Sequence, residues 1–118
     1  MTKPGVYLET SVVGYATSRP SRDLVVAGRQ QITRDWFALR AEAYDLVISE
    51  ASGGDVEAAR ERAAFLEGIP RLGITDAAGD LAARLVESGA VPRKAAEDAL
   101  HIAVAAVHGV DYLLTWNC

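Results

Sequence analysis

The tightest constraint on what this chain can fold into lies in residues 95–117. There, Leu100, Val104 and Val107 recur at helical spacing among alanines, His108-Gly109 supplies a stop, and Tyr112-Leu113-Leu114 follows as an apolar triplet. Such a run predicts a helix, a tight turn and a short core strand. Its apolar pattern leaves three polar residues unexplained: Asp98 near the helix start, and Thr115 and Asn117 just past the strand. In an open parallel sheet, ligands bind beyond the carboxyl ends of the strands, where helix N-termini also lie, so these groups are expected to converge. The plainer expectation for Asp98 is a first-turn acid favoured by the helix dipole.

Two earlier segments end in the same way. Val6-Tyr7-Leu8 predicts a first central strand, followed directly by Glu9-Thr10-Ser11, and Asp45-Leu46-Val47-Ile48-Ser49 predicts a second, followed by Glu50. Thr10 or Ser11 is expected to cap the helix that follows, which leaves the acid at the strand end unexplained by capping. Residues 23–43 carry Leu24, Ala27, Ile32, Trp36, Leu39 and Ala43 near a 3.6-residue period and predict a long amphipathic helix or a pair, with Trp36-Phe37 in the core. Asp55 caps an expected helix through Leu66, residues 68–74 read as a loop and short strand, and Thr75 or Asp76 caps a helix from Ala77 to Ser88. Pro92 suits the start of the next helix. Short apolar strands alternating with helices imply right-handed crossovers and a central parallel sheet covered on both faces, a three-layer α/β/α fold.

The chain has 118 residues, half of them apolar, consistent with one domain and a real core. Its net charge of -4 provides no global basic field, so any nucleic acid must be gripped locally or through metal ions. The single cysteine, Cys118, offers neither an intramolecular disulfide nor a thiolate zinc cluster, which fits a reducing cytoplasm. No apolar run approaches the ~20 residues that span a bilayer. If the first, second and last strands lie side by side, Glu9, Glu50, Asp98 and Asn117 share one sheet edge. Crowded carboxylates repel one another unless a cation sits among them, and oxygen-only ligands favour Mg²⁺ or Mn²⁺. Such a site suits phosphodiester hydrolysis.

The segments Tyr7-Leu8-Glu9-Thr10-Ser11, Leu46-Val47-Ile48-Ser49-Glu50, Glu97-Asp98-Ala99-Leu100-His101-Ile102-Ala103 and Leu113-Leu114-Thr115-Trp116-Asn117, taken together, resemble the PIN domain and most closely its VapC-type toxin branch. The resemblance covers nearly all of residues 1–118 and implies a single-domain, Mg²⁺- or Mn²⁺-dependent endoribonuclease, homodimeric and neutralised by an antitoxin whose tail covers the acidic cleft. It assigns Glu9 as first acid, a position usually held by Asp, with Asp98 as third acid and Asn117 as the fourth ligand. Thr10, Ser11 and Thr115 become supporting hydroxyls. Glu50 matches the second acid, which the family carries on a helix beyond the strand. Either Glu50 acts from a shortened helix or residues are missing between Ile48 and Asp55. Because the sequence stops straight after a buried strand, a C-terminal element is expected to be absent.

Other readings compete with a nuclease. Glu in the first position, Asn in the fourth and the short segment after Glu50 support instead a catalytically weak PIN-like module acting through dimer and antitoxin contacts. A receiver-type or flavodoxin-like domain would need a phosphate loop or a suitably placed lysine, and Lys3 and Lys94 are the only lysines. Local RNA contacts are assigned to Arg19, Arg22 and Arg29. His101, one turn after Asp98, either reaches the same cleft or its surrounding ligands or, the plainer expectation, is a packed, partnered histidine, and His108 is expected to be a helix C-terminal residue.

Overall fold

The computed structural model describes residues 3–49, 64–65 and 67–116. Four strands, β1 (Gly5–Leu8), β2 (Asp45–Ser49), β3 (Arg71–Leu72) and β4 (Tyr112–Leu114), form a parallel sheet in the order β3-β2-β1-β4. Around it lie α1 (Thr10–Thr17), α2 (Leu24–Leu39), α3 (Asp76–Glu87) and α4 (Ala96–Val107), giving the three-layer α/β/α arrangement. The first, second and last strands are indeed neighbours: Tyr7 pairs with Val47 on one side and with Leu113 on the other.

Side chains alternate across the pleat of β1, and both of its faces are covered. Val6 and Leu8 pack with Val12 and Val13 of α1 and Ile48 of β2, backed by Trp36 and Phe37 of α2. Tyr7 points the other way, into Ala78 of α3 and Ala103, Val104 and Ala105 of α4. A strand buried on both sides reads as continuous rather than alternating hydrophobicity, which is how Val6-Tyr7-Leu8 announced itself. The alanines bring α4 close to the sheet, where a bulkier residue would hold it off.

The turn from α4 into β4 is fixed by a Schellman arrangement. Gly109 takes φ 68°, its N–H donates to the Ala106 carbonyl at 3.1 Å, and the Val110 N–H donates to the Ala105 carbonyl at 3.0 Å. Only glycine adopts that backbone without strain, so the chain reverses within three residues and lays β4 beside β1.

Several expectations are corrected in detail. The predicted helix over 23–43 ends at Leu39, where Arg40 breaks the helical backbone, and Ala41–Ala43 forms a separate 3₁₀ turn. Its apolar period does not face inward as a whole, since Leu24, Ile32 and Leu39 are 88%, 60% and 78% exposed while Gln30 and Thr33 are buried. Gln30 is tolerated inside because its amide donates to the Arg19 carbonyl and accepts from the Ser21 N–H. Thr75, not Asp76, caps α3. Pro92 precedes a 3₁₀ turn, Arg93–Ala95, and α4 begins only at Ala96. The expected helix from Asp55 falls largely outside the described residues.

Candidate active site

Glu9 occupies the carboxyl end of the middle strand and is only 5% exposed. Its placement is explained from the backbone upward. The β1 pairing ends with the Glu9 N–H donating to the Leu114 carbonyl at 3.1 Å, and α1 begins at the next residue. Glu9 is therefore the helix cap, its Oε2 accepting from the Ser11 N–H at 3.0 Å. This corrects the expectation that Thr10 or Ser11 caps α1 and that capping leaves the acid unexplained: the helix starts one residue earlier than those hydroxyls require.

Capping accounts for one carboxylate oxygen. Oε2 also accepts from the Ser11 hydroxyl and, at 2.9 Å, from the Thr115 hydroxyl at the end of β4. Ser11 Oγ in turn accepts the Trp116 N–H at 3.0 Å, so the ends of β1 and β4 are latched through one carboxylate and one hydroxyl. Oε1 faces another element, with His101 Nε2 of α4 4.0 Å away. His101 is 2% exposed, its Nδ1 is hydrogen bonded to the Tyr7 hydroxyl at 2.6 Å, and its Nε2 has no hydrogen-bond partner among the described residues. Burial pushes the Tyr7 phenol above its ordinary range; a hydrogen bond with Ser49 opposes this and the Glu9 charge reinforces it.

Of the residues singled out in the sequence, the structure brings Glu9, Ser11 and Thr115 into direct contact. Thr10 begins α1, and its Oγ1 is buried without a hydrogen-bond partner among the described residues. Asp98 stands in the first turn of α4, partly buried, one turn before His101. Glu50 and Asn117 lie outside the described residues. Among the described residues, no three of His, Cys, Asp and Glu gather into a metal-binding group. Glu9 Oε1 and His101 Nε2 face each other at 4.0 Å, two potential donors with no third grouped beside them among the described residues.

The arginines divide. Arg19 and Arg22 are exposed at the α1–α2 junction, whereas Arg29 donates to the Tyr15 hydroxyl at 3.3 Å and lies 5.5 Å above the Trp116 ring. Tyr15 and Trp116 meet edge to face at 5.9 Å. Beside them, a hollow of about 250 Å³ is lined by Val12, Ile32, Thr33, Trp36, Thr115 and Trp116. Sequence reasoning missed the roles of Tyr7 and Trp116. A lone aromatic in a strand reads as core, and only His101 on the covering helix, hydrogen bonded to the Tyr7 hydroxyl, reveals its polar tip. His108 caps α4 as expected, and its Nε2 is hydrogen bonded with the Gly73 carbonyl at 2.9 Å. No protein-family model matches this chain, and no curated protein matches it.

Proposed function

We propose that this chain is a PIN-like, divalent-cation-dependent endoribonuclease acting as the toxin of a toxin–antitoxin pair. The observation that carries the reading is the buried Glu9 carboxylate at the carboxyl end of the central strand, met at 4.0 Å by a side chain from the helix that bears Asp98. A carboxylate withdrawn from water this far is costly unless charge or hydrogen bonds compensate it. Three donors serve Oε2, leaving Oε1 for a cation.

A bound Mg²⁺ or Mn²⁺ would polarise the scissile phosphodiester and supply hydroxide at neutral pH. Within the chain, Ser11 and Thr115 fix the rotamer of Glu9, and Asp98, Glu50 and Asn117 are the remaining candidate oxygen ligands. Arg29 above Trp116 supplies a cation and a ring face of the kind that hold single-stranded RNA by its backbone and bases. Replacing Arg19, Arg22 and Arg29 by glutamine should lower the slope of log affinity against log salt by about 2 for a single strand. An unchanged slope would remove these residues from the interface.

Protein partners have separate support. Val25, Ile32 and Leu39 recur every seven residues along α2 and are 63%, 60% and 78% exposed, a stripe suited to an antitoxin helix or a second copy. The stripe also supports the alternative of a binding module, which would use the same surface with no chemistry at all. Expression in a bacterial host separates the two: growth arrest by the wild type and none by Asp98→Asn supports the nuclease. Equal behaviour of both, with the proteins folded and equally abundant, supports the binding module.

A further inference from the structure

We infer that the hollow beside Trp116, between α1, α2 and the end of β4, is a subsite for one unpaired nucleobase, held by stacking and shape with no reading of the base's edge. The inference rests on the RNA-binding part of the reading above. It adds what the strand must present there: an unstacked base, and no particular one.

The lining sets the chemistry of the occupant. The hollow, of about 250 Å³, is bordered by Trp36 and Trp116, the two tryptophans of the chain, and by Val12 and Ile32. It is smaller than the roughly 300–1,000 Å³ of sites for drug-sized molecules and suits a single planar ring system. Two hydroxyls complete the lining, and each already has its one hydrogen placed. Thr33 donates to the Arg29 carbonyl at 2.6 Å, and Thr115 donates to Glu9 Oε2 at 2.9 Å. The Trp116 Nε1–H donates to the Thr33 hydroxyl at 2.9 Å. None of these side chains therefore keeps a hydrogen for a base edge, while the indole rings offer faces on which any base can stack.

The surroundings favour a nucleotide over an apolar side chain of a protein. Arg29 lies 5.5 Å above the Trp116 ring, and Tyr15 meets that ring edge to face. Next to them Ser11, Gly14, Tyr15 and Ser18 line a second, more open hollow of about 310 Å³. Arg34 donates to the Ser18 carbonyl at 2.7 Å, and Arg19 follows Ser18 in the chain. Three guanidinium groups thus gather at this end of a chain whose net charge is -4. The acids of the same region are engaged elsewhere, Asp23 by the Val25 and Val26 N–H groups and Asp35 by the Gln31 amide. A local cationic rim beside an aromatic recess complements a phosphate with its base. Thr115 borders the hollow and also holds Glu9, so a base seated here brings its own phosphate to the candidate active site.

Intrinsic fluorescence reads this hollow directly, because both tryptophans line it. The wild-type chain is titrated, with EDTA present to prevent cleavage, with single-stranded oligouridylate, oligoadenylate and oligocytidylate. A duplex of the same length and an oligomer with the sugar-phosphate backbone but no bases complete the set. All three single strands should quench the emission with affinities within about fivefold of one another, and the duplex and the base-free oligomer should bind at least about tenfold more weakly. Trp116→Leu should weaken oligouridylate binding by roughly tenfold and leave the base-free oligomer unchanged, whereas Trp116→Phe, which keeps a ring to stack on, should retain most of the affinity. Equal affinity for the base-bearing and base-free oligomers would overturn the inference and leave the nuclease reading standing. So would a blue shift of the emission with protein concentration and none with oligonucleotide, which would give the hollow to a second copy of the chain. Failure of the folded wild type to bind any strand, in EDTA and in Mg²⁺ alike, would overturn both.

Discussion

Two carboxylates tie β1 to the β4 segment, one at each end of the strand pair, and they are opposites in everything but that role. At the amino end, Asp111 Oδ2 accepts the Gly5 N–H at 2.8 Å in full view of solvent. At the carboxyl end, Glu9 is buried, takes three donors on one oxygen and turns the other toward His101 Nε2, 4.0 Å away, which has no hydrogen-bond partner among the described residues. Stability alone calls for what Asp111 provides: one exposed hydrogen bond worth about 1 kcal/mol. A second carboxylate buried with a spare oxygen exceeds that need, and such excess marks the end of the sheet where chemistry is expected.

Three experiments would break or sharpen the contrast. The largest difference should appear in RNA cleavage by purified protein. Glu9→Gln should lose on the order of 100-fold or more, because several kcal/mol of Lewis-acid stabilisation would go with the ligand. Asp111→Asn should stay within about twofold. Comparable losses in both would place the effect in strand pairing rather than in chemistry.

Denaturant unfolding should give the next largest effect. Glu9→Ala removes the acceptor of the Ser11 N–H and of the half-buried Ser11 and Thr115 hydroxyls and should cost about 2–3 kcal/mol, against no more than about 1 kcal/mol for Asp111→Ala. Equal costs would deny that the carboxyl end is the more tightly latched.

The smallest effect is in alkaline stability. The Tyr7 phenol, whose ordinary value is 10.0, is raised in the folded chain chiefly by burial. The stability gained by keeping it neutral is complete below about pH 10 and is lost as pH rises through the folded value, because the native state then binds more protons than the unfolded one. Tyr7→Phe should therefore unfold with a shallower decline above pH 10 than the wild type, and an identical decline would remove the buried phenol as its cause.

The same comparison shows what the sequence could and could not disclose. The strands were legible because Val6-Tyr7-Leu8 and Tyr112-Leu113-Leu114 are short apolar runs, but their adjacency was only a supposition, since crossover handedness does not set strand order. Glu9 was legible as an acid at a strand end. Its double use, as cap and as donor-laden latch, was not, because the first residue of α1 depends on where β1 stops pairing with β4. The environment of His101 was half legible: helical spacing put it on the core side near Asp98, but Tyr7 is 94 positions away in sequence and only the sheet brings them together. The outward stripe on α2 was misjudged for a related reason. An apolar period identifies a helix but does not say which flank meets the sheet, and buried Gln30 and Thr33 decided that here.

The central claim is that the carboxyl end of the sheet holds a cation and the amino end does not. Thermal unfolding with and without Mn²⁺ tests it most directly, since an ion that binds only the folded state stabilises it by about 2.7 kcal/mol at a hundredfold excess over its dissociation constant. The account predicts a clear upward shift of the midpoint for the wild type and for Asp111→Asn, and none for Glu9→Gln or Asp98→Asn. An equal Mn²⁺ shift in all four proteins, or no shift in any, would contradict it.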